Sequence, residues 1–310
     1  MSTEATSITG YISRVLDSSK LLIKSEVMHL SSINEEDISF LKQHWQDADI
    51  KRQRKLIANM VALSQKYLYL DFSRIFLFCL RDTDAIVRAQ AVSGLADEED
   101  SSLTETFVDL LRDDRSSDVR IAATVALGKL AIQGELGKLP VEQKARVYSS
   151  LLMALDKKGE SIKVRAKALE AIAPLNLPRI KGLIEEAYQS DDQEFKISAI
   201  NSMGLNCNRM WLAPLLLELK NVNDSMRHAA VKALGELGEE DAALYLVDIL
   251  EDENPEIQEE AVHALGAIGG EEARNLLSNL LKDPEMRIRR AAKSALQESD
   301  FCEEPLSSDL

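Results

Sequence analysis

One short phrase that recurs after 31 residues constrains this chain more than any other feature. Val231–Gly238 reads VKALGELG, and Val262–Gly269 reads VHALGAIG. Aligning the chain on this phrase gives the pattern V-R-x-x-A-x-x-A-L-G, whose apolar members fall at the three- and four-residue intervals of an α-helix. The same helix pattern therefore occurs several times in the sequence, which predicts a fold built from repeated structural units.

The basic position of the pattern occurs in seven copies. It is occupied by Arg88, Arg120, Arg165, Lys196, Arg227, Gln258 and Arg289, so successive copies are 32, 45, 31, 31, 31 and 31 residues apart. An alanine follows three residues later in every copy, at Ala91, Ala123, Ala168, Ala199, Ala230, Ala261 and Ala292. A small side chain at one fixed place on each helix predicts a close approach between neighbouring helices. The glycines that follow at Gly128, Gly204, Gly235 and Gly266 predict close packing or helix termination.

A second amphipathic stretch lies between the repeated helices and ends in acids, as in YLVDILEDENPE. Asp, Asn and Pro in these stretches end one helix and cap the next. Each unit is therefore predicted to be a helical hairpin, and since one hairpin cannot bury its apolar stripe alone, neighbours must stack. The composition, 45% hydrophobic with only 5% aromatic residues, agrees with an all-α fold.

Two segments in the second half of the chain carry a family resemblance. DSMRHAAVKALGELG (residues 224–238) and NPEIQEEAVHALGAIGG (residues 254–270) resemble the short HEAT repeats of phycobilisome lyases and their relatives. The resemblance is strong over about residues 183–297 and weaker back to about residue 70. It implies a right-handed α-α superhelix of about seven helical hairpins, a HEAT-like solenoid whose second helices line a concave face.

We predict three parts. Residues 1–69 form an N-terminal helical cap, residues 70–297 form the repeat array, and residues 298–310 form an acidic flexible tail. The interval of 45 marks an insertion near residues 131–145. Its glycines and its proline predict a loop that leads into an extended helix.

The cap carries a faint copy of the repeat. Lys55, Ala58 and Ala62 keep the three- and four-residue spacing 33 residues before Arg88. We expect two to four helices here, with an early repeat unit among them.

Net charge and cysteine content constrain the class of partner, the presence of disulfide or zinc sites, and the expected location of the protein. A formal net charge of −15 disfavours nucleic acid and anionic membrane, which both need clustered Lys and Arg. Three cysteines without a short paired spacing predict neither a disulfide framework nor a zinc knuckle. The N-terminal residues lack the pattern of a signal peptide, and no run of 18 apolar residues exists, so we expect a cytoplasmic protein.

The family resemblance also predicts the binding residues. The exposed positions on the second helices are one and five residues after the basic position. The candidate groove residues are Ala89, Ile121, Val125, Ala166, Ile197, Asn201, His228, Lys232, Glu259 and His263. The early repeats would present apolar side chains and the later ones polar side chains, which suits an amphipathic partner helix. The alternative is that the helical phase is off by one position and these residues belong to the core.

The recurrent arginine has a functional and a structural interpretation. A row of cations along a groove could bind phosphate or carboxylate groups. The structural interpretation is favoured, because HEAT-like proteins commonly pair such an arginine with acids of the turn. The expected partners are the upstream residues Asp84, Asp118, Asp224 and Asp283.

The sequence gives little support for a metal site or a catalytic nucleophile. Deoxyhypusine hydroxylase, a di-iron enzyme built on similar repeats, uses adjacent His-Glu pairs, whereas the matching places here read His228-Ala229 and His263-Ala264. Catalytic Ser, Cys and phosphate-loop motifs are missing from the sequence. We therefore expect no metal, no cofactor and no catalytic residue.

The prediction for function is a protein-interaction scaffold or adaptor that captures a peptide or helix of another protein in its concave groove. The alternative is an enzyme-accessory protein or lyase-like subunit related to phycobilisome lyases.

Overall fold

A computed structural model of the protein describes residues 7–96 and 100–303, apart from the side chains of residues 300–303. Within these residues the regular structure is entirely helical and contains eighteen α-helices. The chain divides into two compact units, unit 1 with residues 1–171 and unit 2 with residues 172–310. The boundary falls inside the predicted repeat array.

Unit 1 contains ten helices, the last of which ends at the first residue of unit 2: α1 (Ile8–Leu16), α2 (Lys24–Met28), α3 (Glu35–His44), α4 (Ile50–Lys66), α5 (Ser73–Cys79), α6 (Ala85–Leu95), α7 (Thr104–Asp113), α8 (Ser117–Glu135), α9 (Val141–Asp156) and α10 (Ile162–Ile172). Unit 2 contains α11 (Ile180–Tyr188), α12 (Gln193–Leu205), α13 (Leu212–Glu218), α14 (Asp224–Leu237), α15 (Ala243–Leu246), α16 (Pro255–Ile268), α17 (Gly270–Leu280) and α18 (Met286–Glu303). From α5 onward, odd-numbered helices are the first helices of hairpins and even-numbered ones are the second helices.

The second helices begin at the capping residues that the sequence predicted. The Asp84 carboxylate accepts hydrogen bonds from the backbone N–H groups of the first turn of α6. Asn223 caps α14 in the same way, and Asn254 caps α16, which has a proline at its first position. A cap of this kind satisfies N–H groups that have no partner inside the helix. The prediction of turn-and-cap chemistry is confirmed.

The second helices pack against one another in each unit and form its main layer of contacts. In unit 1 α6 packs between α4 and α8, and in unit 2 α14 and α16 pack between α12 and α18. All seven alanines of the repeat are fully buried. Since α4 takes the place of a second helix beside α6, the stack in unit 1 begins within the N-terminal cap.

The glycines of the repeat lie where one second helix touches the next. A Cβ atom added to Gly235 would lie 2.9 Å from the Cα atom of Ala264, and one added to Gly204 would lie 2.7 Å from that of Ala233. Gly266 meets Ala295, and Gly128 meets Ala171, in the same way. Of the two predicted roles, close packing is the one the structure shows.

Two segments differ from the sequence-based expectation. Residues 131–135 continue α8 to Glu135 rather than forming a loop, and the connection to α9 is only residues 136–140. The Tyr148 hydroxyl donates a hydrogen bond to Glu135, and Lys144 Nζ lies 3.5 Å from the same carboxylate, so α9 supports the extended end of α8. At the other end, α18 reaches Glu303, so residues 298–303 of the expected flexible tail are helical, and residues 304–310 lie outside the described part.

The Gly–Ala contacts predict a strong position dependence of Gly→Ala substitutions. Gly235→Ala forces a methyl group into the backbone of α16, and we expect it to lower the stability of the protein by about 1–3 kcal/mol. Gly182→Ala is the matched control, since nothing lies within 4 Å of a Cβ atom added at this exposed helical position. It should leave stability unchanged or raise it by up to about 1 kcal/mol. Urea unfolding of both variants provides the comparison, and an equal response would contradict the packing role.

Candidate docking face

The predicted binding positions of unit 1 lie along one side of its second helices. Ala89 on α6 and Ile121 on α8 are half-buried, whereas Val125 is 42% exposed. Since α6 and α8 pack side by side, these residues lie on one surface of unit 1. We call the surface formed by Ala89, Ile121 and Val125 the apolar row.

Ala166 departs from the expected exposure. It lies on α10 at the position equivalent to Ile121, yet only 5% of it is exposed. An alanine side chain ends at Cβ, close to the helix backbone, so neighbouring side chains cover it. By contrast, the longer side chain of Arg290, at the equivalent position of α18, is exposed. Ala166 therefore contributes no surface for a partner.

Apart from Ile197, the predicted positions of unit 2 carry polar side chains, and we call them the polar row. Ile197 and Asn201 on α12 are half-buried, as are His228 and Glu259, whereas Lys232 and His263 are exposed. Lys232 Nζ forms an ion pair with Glu236 at 3.6 Å, and Glu259 forms one with Arg287 at 3.3 Å. His228 Nε2 lies 3.8 Å from the Glu260 carboxylate. The charges of the polar row are thus largely balanced within unit 2.

Sequence reasoning missed two apolar side chains on the extended end of α8. Ile132 is 45% exposed and Leu136, directly after the helix, is 67% exposed. They follow Val125 by seven and eleven residues, the spacing that places side chains on one helix face. The signal was present in the sequence, but it was hidden because residues 131–135 were predicted to be a loop.

The side chain at the basic position of the repeat binds the turn of its own hairpin. Arg88, Arg120 and Arg227 each donate from Nη1 at 2.8 Å to the backbone carbonyl six residues upstream. Gln258 keeps this bond with its amide, donating to the Asp252 carbonyl at 2.6 Å. The side chain therefore closes the turn between the first and second helix of its own hairpin.

The rest of each guanidinium reaches the following hairpin. Arg88 pairs with Asp114 at 2.9 Å, Arg227 pairs with Asp252 at 2.8 Å, and Arg120 pairs with Glu160 at 2.6 Å. The expected partners within the same hairpin were therefore wrong, except that Asp224 also contacts Arg227 at 3.1 Å. Asp84 instead pairs with Arg54 of the preceding helix α4 at 2.6 Å. The planar guanidinium makes both sets of bonds because its five N–H donors point in fixed, separate directions.

These pairs hold the carboxylates in their ionised form. Hydrogen bonding from Arg227 lowers the pKa of Asp252 below its ordinary value, and hydrogen bonding from Arg54 lowers the pKa of Asp84. The Arg88–Asp114 and Arg227–Asp252 pairs leave only 8–15% of each side chain exposed. Arg88, Arg120 and Arg227 are thus engaged in joining hairpins, which supports the structural interpretation of these positions.

Residues 7–96 and 100–303 contain no group of three or more His, Cys, Asp or Glu side chains arranged to hold a metal ion. Cys79 is buried, and burial raises the pKa of its thiol, while Cys207 is exposed at a turn. In the same part of the chain, every helix is too short or too polar to span a lipid bilayer.

Helical hairpins stacked through their second helices define an all-α solenoid. The family model for HEAT repeats matches residues 75–156 and 212–297, together more than half of the chain. The chain belongs to the HEAT-repeat family.

Several solved structures are similar to this chain. The complex of CpcE and CpcF of phycocyanin lyase from Nostoc sp. shares 19% identity over 62% of this chain and 75% of that chain, with a TM-score of 0.43. Human deoxyhypusine hydroxylase shares 18% identity over 96% of this chain and 97% of that chain, with a TM-score of 0.34. The Escherichia coli protein YibA shares 13% identity over 89% of this chain and 96% of that chain, with a TM-score of 0.47. No curated protein matches the sequence significantly.

The Arg227–Asp252 pair predicts how the stability of the protein depends on pH. The pKa of Asp252 in the folded protein is lowered below its ordinary value of 3.8. The stabilisation that ionised Asp252 contributes to the folded state is therefore fully present above pH 3.8, and it is lost as the pH falls through the folded-state pKa. Asp252→Asn should cost about 1–3 kcal/mol at neutral pH, and the difference from the unmodified protein should shrink in acid.

Glu253→Gln is the control for this prediction, because Glu253 is exposed and the substitution removes the same charge one residue away. Urea unfolding at a series of pH values measures both variants. A constant difference between Asp252→Asn and the unmodified protein at every pH would show that Asp252 does not act through its charge.

Proposed function

We propose that this HEAT-repeat chain is a protein-interaction scaffold or adaptor that binds a peptide or helix of another protein on the face of its second helices. The observation that carries the proposal is the uncovered apolar surface of α8. Ile121 and Val125 lie at the predicted binding positions, and Ile132 and Leu136 continue the same helix face. Exposed apolar patches on soluble proteins commonly mark interaction sites.

The shape of this surface suits an amphipathic partner. An amphipathic helix recognised in a groove places its apolar residues at intervals of three and four along one face. Exposed apolar residues along α8, with the smaller Ala89 of α6 beside them, offer matching contacts along the length of the helix. The partner's apolar side chains would displace water from Leu136 above all, since it is the most exposed of these four side chains, and next from Ile132 and Val125.

The polar row of unit 2 would serve selectivity rather than affinity. Lys232 and Glu259 of this row already have partners of opposite charge within unit 2. Surface ion pairs of this kind contribute little binding free energy, but they disfavour partners that place like charges against them. The alternative of an enzyme-accessory subunit stays a prediction, because no contact among the described residues favours it over docking.

A double substitution in the apolar row tests the proposal. Ile121→Asp with Val125→Asp should abolish capture of the partner protein, because two carboxylates would have to be buried against its apolar face. Truncation of Ile121 alone to Ala should weaken binding by about 1–2 kcal/mol. Affinity capture followed by mass spectrometry identifies the partner, and titration measures its Kd.

Met153→Asp provides the matched control for these variants. Met153 lies in the same unit and is 66% exposed, but it belongs to the first helix α9. The control should bind as the unmodified protein does. If the double variant in the apolar row also retained every captured protein, the second-helix face would not be the docking site.

A further inference from the structure

Helix α15, the first helix of a hairpin in unit 2, is part of a longer helical segment. A 3-10 turn at Glu240–Ala242 precedes it, and a second one at Asp248–Glu251 follows it after a single residue. We call residues 240–251 the α15 segment. It packs against α16 and α17, and Leu246 and Ile249 are among its buried side chains. One side of the segment is therefore held against the repeats, and the other is left for solvent or a partner.

The exposed side of the α15 segment carries apolar side chains. Leu244 is 59% exposed, Tyr245 is 53% exposed and Val247 is 37% exposed. Leu244 and Val247 are three residues apart and thus neighbours on one helix face, and Tyr245 lies beside them in the chain. An uncovered apolar group on a soluble protein commonly marks an interaction surface.

Carboxylates flank these apolar side chains. Glu240 and Asp248 lie four residues before and after Leu244, and Glu251 follows Asp248 by three residues, so the acids share the helix face of Leu244. All three acids are exposed. In residues 7–96 and 100–303, no Lys, Arg or His side chain forms an ion pair with any of the three.

The helices packed against the α15 segment add to its negative charge. Together with α16 and α17 the segment carries one Lys or Arg residue, Arg274, and nine acids. The acids are Glu240, Asp241, Asp248, Glu251, Glu256, Glu259, Glu260, Glu271 and Glu272. The sequence from residue 236 to residue 260 contains no Lys or Arg at all.

Cations from neighbouring hairpins leave this excess of carboxylates in place. Arg209 pairs with Asp241, and Arg287 pairs with Glu259. The turn after α17 adds one lysine and two acids. Charge complementarity therefore favours a ligand that carries several Lys or Arg residues, and the apolar side chains favour one that also has an apolar side.

We propose that the exposed side of the α15 segment binds a basic amphipathic segment of a partner protein. The apolar side chains of the ligand would contact Leu244 and Tyr245, and its cations would meet Glu240, Asp248 and Glu251. The face of the Tyr245 ring offers an Arg side chain a further favourable contact. This surface belongs to unit 2, and the proposal does not depend on the function proposed for the second-helix face.

Selection of short random peptides displayed on phage against the full chain tests the proposal. The enriched peptides should combine Lys or Arg with apolar residues. Their synthetic versions should bind about tenfold or more weakly to the double variant Asp248→Lys with Glu251→Lys. Leu244→Ser should weaken binding by a similar factor, because the apolar side chains of the peptide lose their contact. Added salt should weaken binding to the unmodified protein, since it screens exposed charges.

Two controls separate this site from a general attraction of basic peptides to an acidic chain. The double variant Glu186→Lys with Asp191→Lys makes the same change in net charge at exposed positions of unit 2 outside the α15 segment. Met153→Ser removes an exposed apolar side chain of unit 1. Both controls should bind the selected peptides as the unmodified protein does. Thermal unfolding followed by circular dichroism establishes that each variant is folded.

Enrichment of acidic peptides, no enrichment, binding that salt leaves unchanged, or equal binding to the two charge-reversal variants would overturn the proposal. So would undiminished binding of peptides whose apolar residues are replaced by glycine, because cations alone would then account for the contact. A dimer that Asp248→Lys with Glu251→Lys dissociates would also overturn it, since the occupant would be a second copy of the chain. Loss of binding to the Ile121 and Val125 variant, with the variants of the α15 segment unaffected, would assign the peptides to the second-helix face instead.

Discussion

The contact between successive second helices is the constraint on which the rest of the structure depends. A glycine of one helix meets the backbone of an alanine on the next, and a Cβ atom at that glycine would come within 3 Å of it. Such an approach requires small residues on both sides of the contact. Four of the seven copies have a glycine at this position, at Gly128, Gly204, Gly235 and Gly266, and each of them meets an alanine of the next second helix.

The arginine ladder complements this packing at the turns. The guanidinium groups of Arg88, Arg120 and Arg227 each bind a carbonyl of their own turn and a carboxylate of the next hairpin. Packing thus sets the spacing of the layers, and charge-assisted hydrogen bonds tie their ends together. With these residues occupied structurally, the apolar row of the second helices is a surface that we propose for a partner.

The sequence predicted the helices, their caps and the buried alanines because these follow from local spacing. The candidate site could be predicted only in part. Val125 lies at the surface as expected, whereas Ala166 is buried. Ile132 and Leu136 were missed because a glycine-containing stretch predicted a loop, and contacts from α9 hold that stretch in a helix.

By itself, the sequence determined that the chain repeats, that each repeat is a helical hairpin, and which residues face the interior of the stack. A periodic pattern specifies a helix face without reference to any other part of the chain. Only the tertiary structure decided which acid pairs with which arginine and where the long end of α8 is supported. These properties depend on distances between hairpins, and no local pattern encodes such distances.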